Sequence, residues 1–262
     1  MRALLRLLAA VTVLRFFVPG RRAQTAAFAG WRSPPKRHLT EKVTRMAEGG
    51  EKSDPVRLLF DNDRIRVSDF RLAPGDSFRA CHDLPTVRWQ VDPGVADRGR
   101  GPEDDADKKV FFVEAGKEWQ LRNIGESVYR QVIFEIKQPA KHTEEQVRDL
   151  LARATYSTNV GSQLLFENHL CRVWDFWLPP GGGSFEDVHH HVLDYAFVYV
   201  APGRLLGSFH DGKPGLFDSV NKDGDVTWSY IPDTAPEDVK FAHGGKNGYD
   251  DQPMREYLIE LK

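Results

Sequence analysis

Three of the nine histidines stand in a row, His189-His190-His191. On a β-strand alternate side chains face opposite sides, so His189 and His191 share one face and His190 takes the other. Two imidazoles roughly 7 Å apart on one face can converge on a single cation, given a third donor from a neighbouring strand. His243, near the end of the chain, is available for that place. Imidazole suits Fe, Mn, Zn, Ni and Cu, so three His predict a divalent metal without naming it. Gly181–Gly183 precedes a strand and opens no helix, which disfavours a phosphate loop.

The elements that must hold these residues read as β. Leu58–Phe60 and Arg64–Leu72 are apolar or alternating runs separated by Asp-Asn-Asp, which is hairpin chemistry. Val110–Val113, Trp119–Asn123, Val128–Lys137, Ala196–Val200, Val226–Ile231 and Glu256–Leu261 continue the pattern. One helix is predicted, opened by the capping box Thr143-Glu144-Glu145-Gln146, with Val147, Leu150, Leu151 and Ala154 at helical spacing. Pro93–Lys109 and His210–Asp225, rich in Gly, Pro and Asp, read as long surface loops.

The folded part is duplicated. Positions 58–75 and 164–181 are identical at eleven of eighteen residues at a constant offset of 106. The halves also close alike, Tyr129–Lys137 in one and Met254–Lys262 in the other. A spacing near a hundred residues fits two copies of a small domain rather than a solenoid.

With these residues in place, the second copy resembles the cupin superfamily. Gly183, then five residues, His189-His190-His191, then Tyr195 and Pro202-Gly203 follow the spacing of the first cupin motif. His243-Gly244-Gly245-Lys246-Asn247 fits the end of the second. The resemblance covers most of 56–262 and implies an all-β fold of two jelly-roll barrels in tandem, joined by a short helix. It implies a metal on His189, His191 and His243, with Fe or Mn favoured and Zn or Ni also accommodated. Tyr195 stands where the motif has Glu. Its parity matches His189 and His191, so its phenol is a candidate ligand or catalytic acid. The first copy lacks the set: one anchoring puts His82 opposite His191 and Ala80 opposite His189, the other puts His82 opposite His189 and Leu84 opposite His191. Trp119 falls where His243 would be in either case, so the first copy reads as a metal-free partner.

Composition bounds the rest. The 262 residues carry a net charge of −2, but ten Lys+Arg stand against two Glu in residues 1–50. That leaves 26 basic and 36 acidic residues for 51–262, a body that repels nucleic-acid backbones. No apolar run is long enough to span a bilayer, so the mature protein is read as having no membrane span. Cys81 and Cys171 exclude a disulfide scaffold, and Cys81 is expected to be buried. Residues 1–27 resemble a signal peptide and 28–50 a transit peptide, with Ala26-Ala27-Phe28-Ala29 similar to the junction of algal bipartite plastid-targeting sequences. A plastid address is therefore expected, with secreted or mitochondrial delivery as the alternatives. Residues 51–140 are read as the degenerate first cupin, 141–158 as the helical linker and 159–262 as the metal-binding cupin. The function expected is a metal-dependent enzyme on a small-molecule substrate, dioxygenase-type favoured over lyase or isomerase. The alternative is a non-catalytic metal- or ligand-binding module, scaffold or assembly subunit. Sheet edges leave room for a homo-oligomer.

Overall fold

The computed structural model describes residues 54–91, 94–97 and 109–262. The presequence assignments, 1–27 and 28–50, and most of the loop expected over 93–109 lie outside the described residues.

The first copy contains β1 (Val56–Asp61), β2 (Ile65–Leu72), β3 (Ser77–Cys81), β4 (Thr86–Val91), β5 (Ala96–Asp97), β6 (Val110–Val113), β7 (Glu118–Asn123) and β8 (Tyr129–Ile136). They form a five-stranded sheet, β1-β2-β8-β4-β6, and a three-stranded sheet, β3-β7-β5. After the helix α1 (Glu144–Arg153) come β9 (Gln163–Glu167), β10 (Cys171–Leu178), β11 (Gly183–His190), β12 (Asp194–Tyr199) and β13 (Gly203–Phe209). The chain ends with β14 (Pro214–Asn221), β15 (Val226–Ser229), β16 (Ala242–Asn247) and β17 (Met254–Leu261). These form the sheets β15-β12-β17-β10-β9 and β11-β16-β13-β14. The architecture is all-β, two jelly-roll barrels in tandem.

The duplication is carried into the registers. Ile65 lies opposite Ile136 in the first barrel and Cys171 opposite Leu261 in the second. Val67, Val87, Trp89, Val132, Phe134 and Ile136 turn outward from the first barrel and meet Val173, Ala196, Val198, Tyr257, Ile259 and Leu261 of the second in one apolar core. The Trp89 and Tyr257 rings stack there at 3.7 Å. A strand buried on both faces cannot alternate, which is why all eight residues of β8 are buried. Burial of these side chains stabilises the pair at about 25 cal/mol per Å² of apolar surface, so the barrels form one compact unit.

Thr143 caps α1 by the expected box: its side chain accepts from Gln146 N–H, and the Gln146 side chain accepts from Thr143 N–H. Val147 and Leu150 bury against Val192 and Leu193 of the second barrel. Two expectations are corrected. The stretch His210–Asp225 is no loop but holds β14, an edge strand paired to β13. Pro214 and Gly215 open it and half its residues face outward, so its composition imitates a loop. Cys81 is exposed, because β3 alternates and turns Phe78 and Ala80 inward. Both cysteines are free thiols.

Candidate metal centre

β11 and β16 carry the three histidines. His189 and His243 lie directly opposite in the register of that pair. His191 follows the last residue of β11, and its N–H donates to Phe241 O at 3.1 Å. His190 N–H donates to Ser157 O at 2.7 Å, so the strand end is clamped from both sides. The result brings His189, His191 and His243 together, with donor atoms all within 4.8 Å of one another. Ring centroids are 4.9 Å apart for His189–His191, 4.7 Å for His189–His243 and 5.0 Å for His191–His243. His190 turns the other way, fully buried, with Nε2 at 2.7 Å from Ala235 O.

Local sequence makes this convergence available. β11 leaves the regular register with β16 between Ser184 and His189. Ser208 spans the gap: its hydroxyl donates to Phe185 O at 2.8 Å and accepts from Gly244 N–H at 3.2 Å. A Cβ at position 244 would stand 2.6 Å from both Phe185 O and Ser208 Oγ, so only glycine admits the crossing beside His243. Gly183 (φ +86°) starts β11 in the left-handed region, against Gly245 O. Asn247 is a turn anchor rather than a donor to the site: Nδ2 donates to Pro179 O and Gln252 O, and Oδ1 accepts from Tyr249 N–H. Asn123 makes the same three-way set with Leu72 O, Ser127 O and Gly125 N–H in the first barrel.

Burial and mutual repulsion keep the imidazoles neutral. Burial, then His243 and His190, push His189 down to about 3. Burial, then His190, push His243 down to about 4. His191 is driven well below its ordinary value by burial, then by His189 and His243. Neutral imidazole is the form that offers a lone pair to a metal.

Tyr195 lies face to face with His191, ring centroids 4.1 Å apart at 17°. It is buried, with Ser229 beside its hydroxyl, and burial raises its pKa. Behind it, Glu260 Oε2 accepts from Trp174 Nε1 at 2.7 Å and Arg172 Nη1 at 3.0 Å. A cavity of about 430 Å³ reaches His189, walled by Phe176, Leu178 and the segment after α1, including Ser157 and Asn159. Sequence reasoning missed Ser157, in the linker, and Asn159, at the start of the second cupin, since nothing in their spacing ties them to the site. Ser208 was equally unsignalled.

The first barrel shows what replaced the set. Ala80 lies opposite Trp119 as His189 lies opposite His243, so His82 matches His191 and the first of the two anchorings describes the fold. His82 stacks on Trp119 at 5.7 Å, with Nδ1 3.4 Å from Glu135 Oε1. The buried Arg88 guanidinium stands 3.7 Å over the Trp119 ring, its Nε donating to Gln131 Oε1 at 3.1 Å. The inner face of this barrel thus carries its own cation.

No protein-family model matches the chain, and no curated protein matches it. Solved structures similar to it include a cupin 2 conserved barrel domain protein from Leptotrichia buccalis, 13% identical, covering 82% of this chain and 92% of that one at a TM-score of 0.43. AerE from Microcystis aeruginosa is 9% identical over 79% of this chain and 97% of its own, at 0.48. An oxalate decarboxylase structure from Bacillus subtilis, whose title refers to Mn(II) centres, is 13% identical over 76% and 69%, at 0.45.

Proposed function

We propose that the chain is a metal-dependent cupin enzyme acting on a small organic molecule, with one working centre at His189, His191 and His243. The observation that carries this reading is the convergence of three neutral imidazoles within 4.8 Å of one another, with His189 at a cavity wall. The donor set fits a divalent ion: His191 Nδ1 is buried without a hydrogen-bond partner, and Fe, Mn, Zn and Ni all accept imidazole. Fe or Mn is favoured. When bound, such an ion supplies a Lewis acid or oxygen activator with coordination positions left open for substrate.

The chain's own residues do the rest. Phe176 and Leu178 exclude water from one side of the cavity, while Ser157 and Asn159 offer hydrogen bonds from the other. Tyr195 fixes the plane of His191 by stacking and is the candidate to hold or pass a proton at its hydroxyl. Three neutral donors leave the ion's charge uncompensated, which favours a substrate with an anionic or polarisable donor atom. Dioxygenase-type chemistry is favoured over lyase or isomerase chemistry on the cupin resemblance. A non-catalytic metal-binding module is the rival reading. Delivery to a plastid by residues 1–50 is proposed on sequence grounds alone, and a fluorescent fusion of that segment tests it.

Anaerobic purification followed by elemental analysis and oxygen-uptake assays on small acids and thiols tests the function. About one Fe or Mn per chain with substrate-dependent oxygen consumption is expected. A loaded protein inert to every redox substrate favours the rival.

A further inference from the structure

The cavity is charged at one place only. Asp187 and Glu186 line it, and among the described residues no Lys or Arg does. Asp187 precedes His189 by two positions on the same strand, about 7 Å away along β11, and lines the same cavity. Both acidic residues are exposed toward the opening, and among the described residues neither has an ion-pair partner. Residues 51–262 add no compensating charge, holding 26 basic against 36 acidic residues. An acidic mouth on an acidic body raises the local concentration of cations and lowers that of dianions. The cavity also reaches His189, one of the three uncharged imidazoles whose ion would take an electron-pair donor.

We propose that the substrate is a small amine-bearing molecule, its ammonium held by Asp187 with Glu186 while its donor atom meets the ion at His189, His191 and His243. This assignment rests on the metal-centre reading above and deepens it by naming a substrate class. Dicarboxylates are excluded from that class, because their second carboxylate would face two like charges with no cation to receive it. Ser157, bridged to His189 at the end of β11, and Asn159 supply neutral hydrogen-bonding groups on the cavity wall that fit the middle of such a molecule.

The test uses the full chain loaded with Mn and three hydroxamates that share one metal-binding group and differ only in the tail. They are butyrohydroxamate, 4-aminobutyrohydroxamate and the monohydroxamate of glutaric acid. Titration calorimetry is expected to rank the amine roughly tenfold tighter than the neutral probe and the acid weaker than both, as one well-placed charge pair gives. The ranking should shrink as salt rises. Asp187→Asn with Glu186→Gln should erase the ranking and leave metal content and neutral-probe affinity unchanged. Equal affinities at a loaded centre, or the acid binding best, would overturn the charge assignment and leave the metal centre standing. A protein that takes up no Mn and binds no hydroxamate would overturn the centre, and the substrate class with it.

Discussion

Arg130 and Arg255 hold equivalent places in the two barrels, and each closes on an aspartate of the duplicated segment. Arg130 Nε meets Asp69 Oδ1 at 2.7 Å, and Arg255 Nε meets Asp175 Oδ1 at 2.9 Å. Arg130 goes further and reaches the other barrel, donating to Asp223 Oδ1 at 2.7 Å and Val200 O at 3.3 Å. Burial works against the Asp69 carboxylate, yet Arg130 and Arg71 hold its pKa below the ordinary value. Such a depressed acid stabilises the fold above its unfolded pKa near 4 and loses that contribution as pH falls further.

Removing the guanidinium takes away the buried partner of Asp69 and leaves it the more exposed Arg71 and Arg57. Arg130→Ala should lower stability by about 2 kcal/mol at pH 7, whereas Asp223→Ala, at a more exposed partner, should cost under about 1 kcal/mol. Urea titration of both variants checks the contrast.

The histidines divide by strand parity. His189→Ala, His191→Ala and His243→Ala should each strip the metal as read by elemental analysis. His190→Ala should keep most of it and lower the melting temperature instead, because its imidazole bonds to Ala235 O inside the protein. An empty site in His190→Ala would reverse the assignment of faces.

Tyr195→Phe keeps the ring on His191 and deletes only the hydroxyl. Metal content and melting temperature should stay near the parent, while turnover falls about 10²-fold or more if the phenol moves a proton. Unchanged turnover would confine Tyr195 to holding His191 in place.

In the first barrel Arg88, beside the absent ligands, opposes a bound cation. Ala80→His with Trp119→His restores three imidazoles beside His82, yet Arg88 places a fixed positive charge against position 119. That double variant should still bind one metal per chain, and adding Arg88→Leu should raise the content toward two. Two equivalents with Arg88 intact would show that the guanidinium is no obstacle.

Glu256 is buried inside the second barrel, with Oε1 unpartnered, and burial raises its pKa to about 7, with Tyr199 beside it opposing the shift. A carboxyl raised in the folded state keeps extra protons there between about pH 4.5 and 7, so its ionisation costs stability as pH rises through that window. Glu256→Gln should therefore match the parent near pH 4.5 and exceed it at pH 8, by of order 3 kcal/mol. Glu260 lies in the same range, so the Glu256→Gln variant should itself still lose some stability with rising pH. Melting curves at the two pH values read both effects.

Much of the fold was legible because the duplication gave two readings of each element. The face shared by His189 and His191 followed from strand parity alone. What escaped was set by partners distant in sequence. β14 was hidden because an edge strand needs no apolar alternation on its open side. The anchoring of His82 stayed double until the pairing of Ala80 with Trp119 fixed it. The cavity wall around Ser157 came from a connecting segment whose role depends on where β11 ends.

That connecting segment changes what the tandem arrangement means. Ser157 and its neighbours lie outside the named strands of both duplicates, yet Ser157 bridges to His189 and they form one side of the chamber there. A liberated carboxy-terminal barrel would therefore lose more than a neighbour: its outer apolar sheet would lie bare to water, and the join that encloses its chamber would become a loose end. The amino-terminal barrel, which shows no such histidine set among its described residues, serves as the fixed shoulder from which that enclosure is hung.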